Sequence, residues 1–406
     1  MHHPQQQQAL SGIRVLDLGE IMQAPVAAQV LGDLGAEVIK VERGVNGDML
    51  RGLDRESLDE SRPSAYFAAV NRNKRSIALN LKTPEGQEIL HQLLAETDVL
   101  IHSYRTAAVE RLGLTYDDLH ERYPRLVYGT ATGFGETGPY AHKAGQDMLA
   151  QALSGMARAC GDPSISAYVH PVPTVDYASG MALAQGILAA LFERERSGRG
   201  QKVSVNLFDT ALALQTLESS TLLAYQRETN WVSDWYSGIF ETTDGLLLVL
   251  GLFRENALRL ACKALDIDDL SVQPTFATPQ LQAENKEAAN AVLRPLVAQL
   301  STAEAAELFD GVDLLCAPLL TLQEALDHPQ DRAVAHVEAL LDHLTPTGPH
   351  DSRPAGILMD GCFEDASQRD ARRRRDRGCA HHPADGQPRH VVPYTRPGAP
   401  RRAGGQ

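Results

Sequence analysis

The chain has 406 residues, 43% of them hydrophobic and 22% charged, with a formal net charge of −14. That composition suits a globular protein of two or three domains, and the negative balance argues against general nucleic-acid binding, because a phosphate backbone repels such a surface. A run of about 18 apolar residues is missing, so no membrane span is expected.

Residues 1–10 form a His- and Gln-rich lead without the basic-then-apolar layout of a signal peptide, and a cytoplasmic location is expected. Cys160, Cys262, Cys316, Cys362 and Cys379 are scattered, with no CxxC pair and no His at metal spacing. They read as reduced thiols, and no metal site is expected.

The first half alternates β-type and helical runs. Ile13 to Leu16 reads as a strand, Pro25 to Leu34 as a helix with proline in its first turn, and Glu37 to Glu42 as the next strand. Ser76 to Leu81 follows as a strand, and Thr83-Pro84-Glu85 looks like an N-cap, a first-turn proline and an acidic first turn for a helix to about Glu96. Asp98 to His102 is a strand, Ala107 to Leu112 a short helix, and Thr115 with Asp118 opens another before the strand Arg125 to Thr130. Helices are expected from about Gln146 to Met156 and from Tyr177 to Arg194, the second ended by Ser197 to Gly200 and followed by a strand from Lys202 to Leu207. This pattern predicts a mostly parallel sheet covered on both faces: an α/β, Rossmann-like large domain. After about Asn230, the run Gly245 to Leu250 and amphipathic helices to about Leu326 predict a smaller α+β domain. The expected boundaries are 1–10 for the lead, 11–229 for the large domain, 230–335 for the small one, 336–360 for a return segment and 361–406 for a tail.

A dinucleotide oxidoreductase would need GxGxxG between the first strand and helix. Here Asp17 to Val26 reads DLGEIMQAPV, with one glycine, so that signal is absent. Asp176, just before a long helix, reads from the residues alone as an N-cap. The partial positive charge of the helix start also favours its carboxylate, which would be ionised at neutral pH and could attack a carbonyl without a general base.

Three stretches resemble the class III CoA-transferases: Leu16 to Gly47, Val70 to Gly86 (VNRNKRSIALNLKTPEG) and Thr174 to Val205 (TVDYASGM…). The resemblance, to the formyl-CoA and carnitine CoA-transferase type and its racemase relatives, spans about residues 10–335. It implies that coenzyme A thioesters are the substrates, with no permanently bound cofactor, that an acyl-CoA donor and a small carboxylic acid acceptor are the partners, and that two chains interlock as a homodimer. It makes Asp176 the nucleophile. It places Met22 and Gln23 near the thioester, Arg43 near the adenine and ribose phosphate, and Leu79, Asn80, Leu81 and Lys82 along the nucleotide. Ser103 and Tyr104 become a contact strip, and Arg111 a pyrophosphate partner. Lys74 and Arg75 read as structural charges at the subunit interface, and Arg51 and Arg72 as candidates for a second carboxylate. Amides near Asp176 and in the turn Gly133-Phe134-Gly135 are candidate oxyanion donors.

Two departures bear on function. Racemases of the superfamily carry His before the Asp of AGHD, whereas Gln146 stands there in this chain and cannot exchange a proton. Racemisation thus becomes the alternative to CoA transfer, with His142 as a substitute base at helical spacing and a non-catalytic CoA-ester-binding protein as a third reading. The stretch Ser233 to Phe240, where a glycine-run lid would fall, has only Gly238. Beyond Gly361 the chain has ten Arg against five acidic residues and no Ile, Leu, Met or Lys. It reads as a disordered or frameshifted tail, or as a basic tail for an anionic partner; limited proteolysis should cut it first.

Overall fold

The structure, a computed structural model, describes residues 8–44, 46–53, 64–159 and 165–330. The expected return segment and tail therefore lie outside the described residues, as do positions 331–335 of the expected small domain.

In chain order the first part runs β1 (Arg14–Leu18), α1 (Gln23–Asp33), β2 (Glu37–Arg43), α2 (Leu50–Leu53), α3 (Ala65–Asn71) and β3 (Lys74–Leu79). It continues with α4 (Pro84–Leu94), β4 (Val99–His102), α5 (Thr106–Leu112), α6 (Tyr116–Arg122) and β5 (Val127–Thr132). Then come α7 (Asp147–Leu153), α8 (Thr174–Ser197), β6 (Lys202–Asn206), α9 (Leu207–Leu214) and α10 (Thr216–Tyr225). The six strands form one parallel sheet in the order β3-β2-β1-β4-β5-β6, the doubly wound order expected of a Rossmann-like fold. β1 is central: Val15 pairs with Val38 on one side and Val99 on the other. A second, antiparallel sheet of β7 (Ser237–Glu241), β8 (Leu246–Leu250) and β9 (Leu315–Pro318) has its own core of Phe240, Leu247, Val249, Leu258, Leu293 and Phe309.

The helix signals act as the sequence implied. Thr83 accepts the Gly86 N–H ahead of Pro84, Thr115 and Asp118 close a capping box, and Gly198 ends α8 with φ 73°. The helix α8 is long and apolar enough to cross a membrane, which the expectation of no span overlooked. Val175, Leu183, Ile187, Ala190 and Leu191 are buried along it, and it packs on α1, β5 and β6, as a core helix does. Its N-cap is Pro173, with no side-chain bond. A missing cap costs about 1 kcal/mol, against roughly 2 kcal/mol for each large apolar side chain buried, so packing decides that this helix forms.

β1 runs two residues further than expected, through a buried aspartate. Asp17 is 0% exposed, and Lys74 Nζ reaches its Oδ2 at 2.9 Å, Pro25 O at 2.8 Å and Asn71 Oδ1 at 2.9 Å. Lys74 is therefore an interior ion rather than a charge at a subunit interface; burial lowers its ammonium to about 8 although Asp17 opposes the shift. Arg75 is exposed and pairs with Glu37. Replacing Lys74 by Met should cost about 3–5 kcal/mol, because it strips a buried carboxylate of its nearest cation. Denaturant melts would test this; a loss below about 1 kcal/mol would mean that Lys40, 3.8 Å from Asp17, compensates.

Candidate active site

The strand order reverses between β1 and β4, and the crevice beyond their carboxyl ends is where such sheets bind ligands. Ser103 bridges it, its Oγ accepting the Glu20 N–H at 3.1 Å. Most of the positions singled out in the sequence fall along this edge. Met22 caps and Gln23 starts α1 after β1, Arg43 ends β2, Leu79 ends β3, and Asn80 to Lys82 follow it. Ser103 and Tyr104 follow β4, with Arg111 one helix later in α5. The Arg43 guanidinium pairs with Glu20 at 2.5 Å. Arg43 also lines a cavity of about 480 Å³ with Gly44, Asp48, Met49 and Leu53. Lys82 and Arg111 are exposed, and Leu79 and Leu81 are buried in the core beside α4.

The Ser103-Tyr104 strip is set by a buried histidine. His102 Nε2 lies 2.7 Å from Tyr128 Oη, whose hydroxyl donates to Leu114 O, and His102 Nδ1 accepts the Tyr104 N–H at 3.2 Å. Burial keeps that imidazole neutral, with its pKa lowered to about 3. It is a positioning group with no proton to exchange near neutrality.

Asp176 is the third residue of α8, which corrects its reading as the N-cap. Its side chain is half-buried, and no hydrogen bond to its carboxylate is seen among the described residues. Its own N–H donates to Asp147 Oδ2 at 2.8 Å. The Asp147 carboxyl, 4% exposed, also accepts Gln151 Nε2 at 2.5 Å, and Gln151 clasps His170 through the His170 N–H at 2.9 Å and the His170 carbonyl at 3.1 Å. Burial first, and then the like charge of Asp147, raise the Asp176 carboxyl to about 7. The helix dipole, worth about 0.3–1 kcal/mol, does not prevail, so full ionisation at neutral pH is not what this environment gives.

Close backbone contacts bring these parts together. A Cβ on Gly180, one turn beyond Asp176, would sit 2.7 Å from Gln23 O, so α8 and α1 touch there. A Cβ on Gly133 would lie 2.3 Å from Gly145 Cα, which draws the stretch leading to Asp147 against the end of β5. Gln23, 7% exposed, extends its Nε2 to Thr132 O at 3.4 Å.

Several expectations need correction. Arg72 is bound to Asp33 at 2.5 Å at the opposite, amino-terminal edge of the sheet, away from Asp176. Arg51 grips both oxygens of Glu42, at 2.6 and 2.7 Å, and lies 3.6 Å from the Phe67 ring centroid. Burial works against that Glu42 charge, but Arg51, Ser76 and the Asp48 N–H hold it at about 2. Both arginines are committed to internal carboxylates. The Gly135 N–H donates to Thr132 Oγ1 at 3.0 Å, so neither it nor the Asp176 amide is open to an oxyanion. His142 is exposed in a turn before α7 begins, and the helical spacing that would have brought it to the site is not present. Gln146 is exposed at the α7 N-cap. Ser237 to Phe240, where the sequence already lacked a run of glycines, belong to β7.

Asp147 was the residue that sequence reasoning missed. There it enters only as the unnumbered aspartate that follows Gln146. The usable signal was Asp147 with Gln151, a polar pair at helical i,i+4 spacing directly after a helix start.

Comparison with known proteins gives consistent matches. The description CoA-transferase family III covers residues 10–355. An acyl-CoA transferase of Fusarium pseudograminearum is 35% identical over 80% of this chain and 74% of its own. The succinyl-CoA:glutarate CoA-transferase of Mus musculus is 34% identical over 83% and 77%. Among solved structures, a CAIB/BAIF family protein from Brucella suis is 30% identical, with a TM-score of 0.72 over 81% of this chain and 88% of that one.

Proposed function

The chain belongs to CoA-transferase family III, and from that premise we propose that it moves CoA from an acyl-CoA donor to a dicarboxylic acid through Asp176. The observation that carries the reading is the Asp176 carboxylate: half-buried, raised to about 7, and adjoining the crevice at the carboxyl edge of the sheet. Raised basicity makes a carboxylate a better nucleophile, while a pKa near the working pH leaves enough of it ionised.

One Asp176 oxygen attacks the donor thioester carbonyl, expelling CoA thiolate and forming a mixed anhydride. The thiolate attacks the aspartyl carbonyl, giving an enzyme-CoA thioester and releasing the donor acid with one former Asp176 oxygen. The acceptor carboxylate then displaces CoA thiolate from the aspartyl carbonyl to form a second anhydride. Thiolate attack on the acceptor carbonyl yields the new acyl-CoA and restores the Asp176 carboxylate, which now carries an acceptor oxygen. Met22 and Gln23 would lie against the thioester, and Arg43, Leu79 to Lys82, Ser103, Tyr104 and Arg111 along the CoA. The dicarboxylate acceptor is supported by the names of relatives acting on succinyl-CoA and glutarate. Racemisation is not favoured, since Gln146 supplies no second base.

A test is mass spectrometry of CoA esters formed from succinyl-CoA and a panel of mono- and dicarboxylic acids. Esters of five- or six-carbon dicarboxylic acids are expected to dominate. A product set limited to monocarboxylic esters, or to free CoA and succinate, would contradict the proposal.

A homodimer is part of the same reading. No residue of α10 is buried, and Leu223 and Tyr225 are 79% and 75% exposed, an apolar surface of the kind that partners cover. Light scattering at micromolar concentration should give twice the chain mass, and charging this face with Leu223→Glu should shift it toward the monomer. A wild-type chain that stays monomeric would refute the dimer.

A further inference from the structure

The turn between β1 and α1 is held in a conformation that its own residues disfavour. Ile21 has φ 66°, a left-handed backbone that β-branched side chains avoid and that persists only where the surroundings impose it. Side chains hold the backbone of Gly19, Glu20 and Ile21 in place. The Gly19 N–H donates to Asp17 Oδ1 at 2.8 Å, and its carbonyl accepts Lys40 Nζ at 2.7 Å. The Glu20 N–H is bound to Ser103 Oγ, and the Ile21 N–H donates to Asp48 Oδ1 at 3.3 Å.

Asp48 stands between two places. It is 1% exposed, pairs with Lys40 Nζ at 2.9 Å, takes the Leu50 N–H at 2.9 Å, and sends its own N–H to Glu42 Oε2 at 2.9 Å. On one side it lines the cavity beside Arg43. On the other it holds the turn from which Gln23 reaches Thr132, next to the contact of Gly180 in α8 with Gln23 of α1.

We propose that Asp48, anchored by Lys40, is a positioning residue for the transfer step: it keeps Ile21 left-handed and so holds Met22 and Gln23 against the start of α8. The kinetic consequence rests on the reading of Asp176 as nucleophile; the structural consequence does not. A group that only stabilised the fold would change melting without selective loss of turnover. A group that sets the turn should act on kcat, because reacting atoms are sensitive to displacements of about 1 Å.

The experiment combines amide exchange with two variants, using succinyl-CoA as donor and glutarate as acceptor. In the wild-type chain the Ile21 amide, outside any helix or strand, is expected to exchange slowly. Asp48→Ala should speed that exchange and lower kcat about tenfold or more, the ratio that about 1.4 kcal/mol represents, with KM for succinyl-CoA changed less than about threefold. Adding Ile21→Gly should return most of the lost kcat, because glycine takes a positive φ without steric penalty. A double variant as slow as Asp48→Ala, or Asp48→Ala with undiminished kcat, would overturn the proposal. The exchange measurement needs no variant: a wild-type Ile21 amide that exchanges as fast as open peptide overturns it too. Absence of turnover in every form would instead count against the donor and acceptor named above, while the Ile21 exchange rate still judges the hold of Asp48.

Discussion

Asp176→Asn should abolish CoA transfer, by on the order of 10⁴-fold or more, as expected when a covalent nucleophile is removed. The same variant should be more stable than the wild type above neutral pH. Asp176 is raised to about 7 in the fold from an ordinary 3.8, by burial and then by Asp147. Between those two values the folded chain binds more protons at this site than the unfolded chain, so wild-type stability falls as pH rises through the window. Above about pH 7 the whole penalty is present, and below about pH 4 none of it is. Three units would correspond to about 4 kcal/mol at most. A half-buried group keeps part of its water, so roughly 2 kcal/mol is the better expectation. Asn carries no charge and escapes the penalty. Thermal melts should show its advantage growing from nothing near pH 4 to a few degrees at pH 8. A constant difference across that range would mean that Asp176 is not a strained acid.

Asp147→Ala should lower turnover by about 10- to 100-fold, because small displacements of a reacting group cost that much. It deprives the Asp176 N–H of its acceptor and releases Gln151 and His170. Asp147→Asn separates charge from position. It keeps an oxygen for the Asp176 N–H but removes the like charge beside Asp176. In wild type the acid limb of kcat/KM is expected near pH 7, since only ionised Asp176 attacks. In Asp147→Asn it should move to lower pH while staying above the ordinary aspartate range, because burial is the larger cause of the shift. A limb that does not move would place the shift in burial alone.

The division between what could and could not be read in the chain follows the range of the interactions. Strands such as Glu37–Arg43 and caps such as Thr83 and Thr115 were legible because a local pattern determines them. The end of β1 was not, since Asp17 looks like a strand terminator until Lys74, 57 positions later, neutralises it. For the same reason Lys74 reads from the sequence as a charge at a subunit interface. The candidate contacts fell along one edge because each follows a strand of the same parallel sheet. Asp176 was legible as a residue, whereas its acidity was not: the helix start argues for ionisation, and only the fold brings Asp147 against it. Arg51 and Arg72 were misread because their carboxylate partners, Glu42 and Asp33, lie on other elements. The left-handed Ile21 had no local signal at all, being imposed by Asp48 and Lys40 from the next strand and the turn after it.

Covalent acylation of Asp176 can be trapped. The full-length chain is incubated with succinyl-CoA and no acceptor, quenched with hydroxylamine, digested and sequenced by mass spectrometry. A mixed anhydride or an enzyme-CoA thioester at this side chain is cleaved by hydroxylamine to leave a hydroxamate. The expected result is that hydroxamate on Asp176, dependent on succinyl-CoA and absent in Asp176→Asn. CoA transfer from succinyl-CoA with Asp176 left unmodified, or the hydroxamate on another carboxylate, would contradict it.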